Sequence, residues 1–329
     1  MLRPTFRRAL RLELLETREV LSAVGPSAEA QYMLDMINLA RTNPQAAAQK
    51  FTSNLDPDVL ATLNYYNVNL DQERQAIASS PVRPPLAWND QLAAAATGMA
   101  TDQAVNGFQS HVGSDGSDLG KRLDRTLYTD RLVSGENSYA SSKSADHALE
   151  AFLIDWGVES KGHRNNLLQP TAQPDQFYRE VGIGIVKSQN SNVGPLVVTQ
   201  DFGARIGSKA QLLGVVYHDQ NGSGSFDMNE GQGGVEIDAT SFNTGKTVVT
   251  QSWDSGGYQV ALDSGKYMIQ AKLGGKVIDA RQITIQNQNM QVDYNLTALG
   301  KNPQGAAQES SSTSSDSLPG QNSWASWVV

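Results

Sequence analysis

The sequence contains no cysteine among its 329 residues. That absence excludes disulfide bonds, thiolate zinc sites, iron–sulfur clusters and catalysis by a thiol. No stretch approaches the roughly 18 consecutive apolar residues that a transmembrane helix needs, so we expect no membrane-spanning segment. Basic residues are outnumbered by acidic ones, 26 to 34, and the formal net charge is -8. Such a chain lacks the basic surface that binds nucleic acid, and we predict no nucleic-acid partner.

The first 25 residues are biased toward basic side chains. Four arginines precede the first acidic residue, Glu13, as is typical of targeting segments. Acidic residues interrupt the apolar stretch that follows, unlike an ordinary signal peptide. The run "LELLETREVLSA" is similar to a leader found at the start of many exported bacterial proteins, which favours an export leader over residues 1–25. A short amphipathic helix is the alternative that periodicity leaves open.

Residues 30–204 combine helical patterns with one β-rich stretch. Helical spacing of apolar residues predicts a first helix over 29–50. The Ala-rich run "LAWNDQLAAAATGMATDQAVN" predicts a second, and "SADHALEAFLIDW" predicts a third that Ser144 caps. The runs "REVGIGIVKS" and "PLVVTQDFG" are separated by turn-forming residues and predict an antiparallel hairpin. Helices beside a small antiparallel sheet indicate an α+β fold.

The pattern changes in residues 209–298, where short alternating runs are separated by turn residues. This succession predicts an all-β sandwich. From residue 299 to 329 the chain is rich in Ser, Gln and Gly, and we expect a disordered tail.

The run "DQNGSGSFDMNE" follows the spacing of a calcium-binding loop, with oxygen-bearing residues at positions 1, 3, 5, 7, 9 and 12 and a glycine at the sharp turn. The predicted ligands are Asp219, Asn221, Ser223, Ser225, Asp227 and Glu230. The flanking runs have the alternation of strands, so the loop belongs to the predicted sandwich. A calcium-free linker of Asx turns is the alternative. The surrounding stretch, 212–296, resembles the SdrD B-like and Cna B-like repeats of bacterial surface proteins. The resemblance implies an immunoglobulin-like sandwich with calcium as its cofactor.

Two histidines, His111 and His163, stand in stretches rich in Gly, Ser and Asn, and Glu136 is isolated between them. Loops held by rigid helices often carry function. Seven motifs occur in order around these residues: "INLARTNP", "PPLAWNDQLAAAA", "SHVGSDGS", "GENSYA", "WGVESKGHRNNLL", "VGIGIV" and "VTQDFG". Together they resemble the CAP superfamily (cysteine-rich secretory proteins, antigen 5, pathogenesis-related 1), particularly its bacterial SCP-like extracellular branch. The resemblance implies an α-β-α sandwich whose cleft holds two histidines and two glutamates. The matching positions are His111, Glu136, Glu159 and His163.

The sequence departs from the family pattern beside the second histidine. Many bacterial relatives carry "W-x-x-S-x-G-H", whereas this chain has Glu159 at the fourth place of "WGVE" and Ser160 next to it. Whether Glu159 or Ser160 faces the cleft is left open.

Two imidazoles with one or two carboxylates can hold Zn²⁺ or another divalent cation while positions remain free for water. The leader and the CAP resemblance together predict an exported protein, extracellular or at the cell surface. Its cleft would bind a divalent cation and an extracellular ligand (a glycan, lipid or peptide), and its β domain would be a spacer or adaptor. A metal-dependent hydrolase is one alternative, although the chain has neither H-E-x-x-H nor G-x-S-x-G. An adhesion protein with a purely structural tetrad is the other.

Overall fold

The computed structural model describes residues 25–301. The predicted leader (1–25) and the predicted disordered tail (299–329) lie outside the described residues except at their inner ends. Residues 299–301 belong to a short terminal helix. None of the helices in this described range is long and apolar enough to cross a membrane.

The first unit alternates helices with a four-stranded sheet. Its elements are α1 (Ala28–Thr42), α2 (Pro44–Phe51), α3 (Pro57–Tyr65), α4 (Leu70–Ala78), β1 (Ala87–Trp88), α5 (Asp90–Asn106), α6 (Leu119–Arg125), β2 (Arg131–Ser142), α7 (Ala145–Ile154), α8 (Gly162–Leu168), β3 (Glu180–Lys187) and β4 (Leu196–Arg205). The sheet has the order β1-β3-β4-β2, with β1 parallel to β3 and the remaining pairs antiparallel. The β3–β4 pair is the hairpin that the sequence predicts.

The expected first helix over 29–50 is two helices in the structure. Asn43 separates them because its side chain accepts a hydrogen bond from the backbone nitrogen of Ala46 at 3.1 Å, which starts α2. Pro44 follows at the first position of α2, where its missing N–H costs nothing. The predicted Ser144 cap of α7 is present, since its side chain accepts from the backbone nitrogen of His147 at 3.1 Å.

Helices cover both faces of this sheet. On one face, Val181 and Ile183 of β3 are buried in a core cluster that also contains residues of α1, α7 and α8. On the other face, two glycines at the centre of β3 lie directly against α5, and Val186 packs beside Ala100 and Ala104 of that helix. A Cβ at Gly182 would lie 1.9 Å from the backbone nitrogen of Ala93, and one at Gly184 would lie 2.5 Å from that of Thr97. Successive side chains of a strand point to opposite faces, so β3 contacts helices on both sides and the unit is an α-β-α arrangement.

The second unit contains mainly strands. Its elements are β5 (Ala210–Tyr217), β6 (Glu236–Ser241), β7 (Thr247–Gln251), β8 (Gly257–Leu262), β9 (Gly265–Leu273), β10 (Lys276–Ile285), β11 (Met290–Gln291), β12 (Tyr294–Asn295) and α9 (Leu296–Lys301). One sheet has the order β10-β9-β6-β7, and the other joins β5 to β8, β11 and β12. Side chains of both sheets form one buried cluster, which includes Leu212, Ile237 and Ile269.

The two units pack directly against each other. The backbone nitrogen of Trp88 donates to Gln259 Oε1 at 2.9 Å, and Gln259 Nε2 donates back to the Trp88 carbonyl at 3.0 Å. Tyr217 and Phe226 of the second unit are buried in the same cluster as α1 of the first. The connection over residues 206–209 therefore joins two units that share part of their core.

Candidate functional site

A cleft of about 590 Å³ opens between three segments of the first unit. Residues 109–111, the middle of β2 and residues 158–166 contribute its lining. His111, Glu136 and His163 all line it, so the structure brings together three of the four residues that the sequence predicts.

Glu136 of β2 is buried and bridges two basic side chains. Its Oε1 atom lies 2.8 Å from His111 Nδ1, and its Oε2 atom accepts from Arg122 Nη2 at 2.5 Å. Arg122 also donates to the carbonyl of Ser117 at 2.8 Å, which holds the loop before α6. The hydrogen bond that Glu136 accepts from the imidazole raises the pKa of His111 above its usual value, against a smaller opposing effect of burial. This carboxylate therefore fixes the orientation of the half-exposed imidazole.

His163 has a corresponding carboxylate partner, Asp155, which ends α7. Asp155 Oδ1 lies 2.7 Å from His163 Nδ1. Asp155 Oδ2 accepts from the backbone nitrogens of His163 at 2.9 Å and Arg164 at 3.2 Å. The carboxylate thus holds both the imidazole and the first turn of α8, which has no side-chain cap from its neighbouring residue Lys161.

Two asparagines join the strand that carries Glu136 to the helix that carries His163. Asn166 Nδ2 donates to the Glu136 carbonyl at 3.1 Å and to Asn137 Oδ1 at 2.9 Å. Asn137 Nδ2 donates to the His163 carbonyl at 3.2 Å. These bonds connect the two carboxylate–imidazole pairs through one rigid frame.

Glu159 lies elsewhere. It is exposed, in the turn between α7 and α8, and does not line the cleft, whereas Ser160 does. The place beside His163 Nδ1 is taken by Asp155, which is eight residues away in sequence. Asp155 reaches it because it adopts the left-handed conformation at φ 56° and ψ 50°, turning the chain back toward α8.

A further carboxyl group, Asp201 on β4, lies behind Glu136. The two residues are directly paired across β2 and β4. Asp201 is fully buried. If its carboxyl group is ionised and can only accept, neither oxygen has a hydrogen-bond donor within residues 25–301. Burial, and then the negative charge of Glu136, raise the pKa of Asp201 well above its usual range. We expect Asp201 to be protonated and to donate to Glu136.

The Asp201→Asn substitution is expected to raise the melting temperature at neutral pH by a few degrees and to leave it nearly unchanged near pH 4. When folding raises the pKa of an Asp, its contribution to the free energy of unfolding is fully present only below the unfolded pKa of about 3.9. That contribution is lost as pH rises toward the folded pKa, and an amide has no such loss. Melting curves from about pH 4 to about pH 8 measure the difference. Asp71→Asn, at a side chain 89% exposed, is the control; equal pH slopes for Asp201→Asn and wild type would contradict the assignment.

The predicted calcium ligands lie together in the loop between β5 and β6. Asp227 Oδ2 accepts from Asn221 Nδ2 at 2.9 Å and from Ser223 Oγ at 2.8 Å, and Ser223 Oγ lies 3.1 Å from the Ser225 carbonyl. The two oxygens of Glu230 accept from the backbone nitrogens of Gln220 and Asp227 at 2.8 and 3.0 Å.

Asp219, at the start of this loop, accepts from the Gly224 backbone nitrogen with Oδ2 at 3.0 Å. Its Oδ1 is buried and has no hydrogen-bond partner among the described residues. The donor set consists of oxygen atoms, as a hard cation such as calcium requires. As they stand, no three His, Asp or Glu side chains between residues 25 and 301 are grouped closely enough to hold a metal ion, here or at the cleft.

Comparison with known proteins bears on the first unit. Residues 34–202 match the CAP family, described as the cysteine-rich secretory protein family. No curated protein matches the chain.

Three solved structures are similar to part of the chain. An extracellular protein with an SCP domain from Bacillus anthracis is 26% identical, with a TM-score of 0.29 over 46% of this chain and 45% of that one. An outer surface protein of Borrelia burgdorferi is 16% identical, with a TM-score of 0.29; the match covers 46% of this chain and 96% of that protein. A cysteine-rich secretory protein of Staphylococcus aureus is 15% identical, with a TM-score of 0.27; the match covers 46% of this chain and 40% of that protein. The chain thus covers less than half of the first and third of these proteins. Because the family match extends over just over half of its residues, this chain belongs to the CAP family.

Proposed function

We propose that this protein acts outside the cell as a binding protein whose cleft takes a divalent cation together with an extracellular ligand. One observation carries the proposal: two imidazoles line the same cleft, and a buried carboxylate holds the Nδ1 atom of each. No hydrogen bond from residues 25–301 reaches the Nε2 atom of His111 or His163. Both Nε2 atoms are therefore available as ligands.

Metal-binding histidines commonly donate their second ring N–H to a carboxylate, which fixes the tautomer and raises the basicity of the ligating nitrogen. Glu136 and Asp155 are placed for this orienting role. In the proposed site His111 and His163 hold the cation, and water or an oxygen of the bound ligand completes its coordination. Zinc suits two imidazoles with open positions. The proposal does not use Glu159.

The lining of the cleft favours a polar, uncharged ligand. Ser110, Ser138, Ser160, Asn165 and Asn166 supply hydroxyl and amide groups, which both donate and accept hydrogen bonds. The negative charge of Glu136 is balanced by Arg122. These groups suit the hydroxyls of a glycan or the amides of a peptide better than a lipid chain.

For the second unit we propose an immunoglobulin-like, SdrD B-like sandwich that calcium stabilises and that serves as a spacer or adaptor. Three features support this proposal: two packed sheets, the oxygen-rich loop of residues 219–230, and the buried Asp219 Oδ1, which finds no hydrogen-bond partner within residues 25–301. An extracellular location agrees with the basic N-terminal segment and with the relatives, one described as an extracellular protein and another as an outer surface protein. Calcium-binding modules outside cells work with weak affinities, so an exposed loop of oxygen ligands suits that location.

Isothermal titration with zinc tests the cleft. We expect one site in the wild-type protein that is lost when His111→Ala and His163→Ala are combined. His218→Ala is the matched control, because His218 is an exposed histidine at the end of β5. Asp155→Asn should weaken zinc binding about 10- to 100-fold, whereas Glu159→Gln should leave it unchanged. Wild-type protein that takes up no zinc, or uptake that survives the double substitution, would instead support a purely structural tetrad.

A further inference from the structure

Phe226, in the proposed calcium loop, is a buried aromatic residue that follows a run of exposed ones. Residues 220–225 are exposed, but Phe226 is only 3% exposed. Its ring lies 5.8 Å from the ring of Tyr217, on β5 of its own unit. It also lies 6.5 Å from the ring of Tyr32, on α1 of the CAP unit. Phe226 therefore inserts into the core that the two units share.

A charged contact accompanies this insertion. Lys50, at the end of α2, has its Nζ atom 3.8 Å from Asp227 Oδ1 and 5.8 Å from the centre of the Tyr32 ring. The Tyr32 hydroxyl donates to Asp146 at 2.6 Å, which holds the ring at its hydroxyl end. The loop thus contacts the helical layer through an aromatic side chain and a carboxylate that are adjacent in sequence.

The same short segment carries proposed calcium ligands. Ser225 would contribute its carbonyl and Asp227 its carboxylate, and Phe226 stands between them. A cation held by these two residues fixes the backbone on both sides of Phe226. Without a cation, Asp219, Asp227 and Glu230 place three negative charges in one loop, which favours local opening.

We infer that calcium binding at residues 219–230 docks the β unit onto the CAP unit, with Phe226 as the residue that couples them. The inference rests on the calcium binding proposed above. By linkage, any free energy that the cation contributes to the docked state appears equally as tighter calcium binding when the units are docked. Calcium bound to the loop would then stabilise the β unit and also hold that unit rigidly against the CAP unit.

Hydrogen exchange of the full chain, with calcium or with chelator, tests this directly. We expect calcium to slow amide exchange in the loop and also in α1 and α2, by roughly tenfold or more in the helices. In Phe226→Ala, calcium should still protect the loop but should no longer protect α1. Phe242→Ala is the matched control, since Phe242 is 54% exposed on the same unit and contributes nothing to the shared core.

The outcomes separate the inference from the proposals on which it rests. Protection of the loop without protection of α1 and α2 in the wild-type protein overturns the docking role and leaves the calcium site standing. No calcium-dependent protection anywhere overturns both, while the zinc titration of the cleft is unaffected by either result. If Phe226→Ala does not fold, Phe226→Leu and Lys50→Gln replace it, and unchanged calcium protection of α1 in both would contradict the coupling.

Discussion

Replacing Glu136 by alanine is expected to lower the free energy of unfolding by about 3–5 kcal/mol. The Arg122 side chain is 7% exposed and that of Glu136 is 3% exposed, so removal of the carboxylate leaves a buried guanidinium without its partner. Arg122 would retain its bond to the Ser117 carbonyl, which does not neutralise its charge. His111 would also lose the group that orients its ring.

Denaturant unfolding, followed by circular dichroism, measures this loss. Glu136→Gln keeps the shape and one acceptor and should cost less than alanine. Glu159→Ala is the matched control at an exposed glutamate and should stay within about 0.5 kcal/mol of wild type. A loss below about 1 kcal/mol for Glu136→Ala would show that the buried ion pair is not what holds the cleft together.

The second large effect is expected at Asp155. Alanine would remove three accepted hydrogen bonds, to the imidazole of His163 and to two backbone nitrogens at the start of α8. It would also force a residue with a Cβ but no polar group into a left-handed conformation at φ 56°. Together these effects should cost about 3 kcal/mol or more.

Two further variants separate these causes. Asp155→Gly relieves the backbone strain but not the lost bonds, so it should be more stable than Asp155→Ala and less stable than wild type. Asp155→Asn tolerates the left-handed conformation and retains one acceptor, and it should be the mildest of the three. If glycine restored full stability, the carboxylate would have no structural role at α8.

Local patterns predicted much of the fold. The helix α5, the Ser144 cap of α7 and the β3–β4 pair follow from periodicity, capping and turn residues that act over a few positions. The division between α1 and α2 also depends on a local signal, Asn43 before Pro44. The spacing of apolar residues does not reveal it, because that spacing continues across both helices. In the second unit, alternation predicts strands but not their partners. β8 and β9 are joined by a short turn but pair into different sheets.

The cleft was predictable where its residues stand in recognisable motifs, as His111, Glu136 and His163 do. Asp155, Arg122 and Asp201 were missed because tertiary packing decides their roles. Asp155 directly precedes the motif "WGVESKGHRNNLL", which contains Glu159, yet only its left-handed backbone brings it to His163. Asp201 belongs to the motif "VTQDFG", but its burial behind Glu136 depends on the register of β2 against β4.

We propose that two imidazoles, each held by a carboxylate at Nδ1, offer their Nε2 atoms to a divalent cation in the cleft. Anomalous diffraction at the zinc edge from zinc-soaked crystals tests it most directly. We predict a peak in the cleft at about 2.0–2.1 Å from Nε2 of both His111 and His163, with the Glu136 and Asp155 contacts intact. A cleft without a peak, or a zinc ion bound through Glu159, would contradict the proposed two-histidine site.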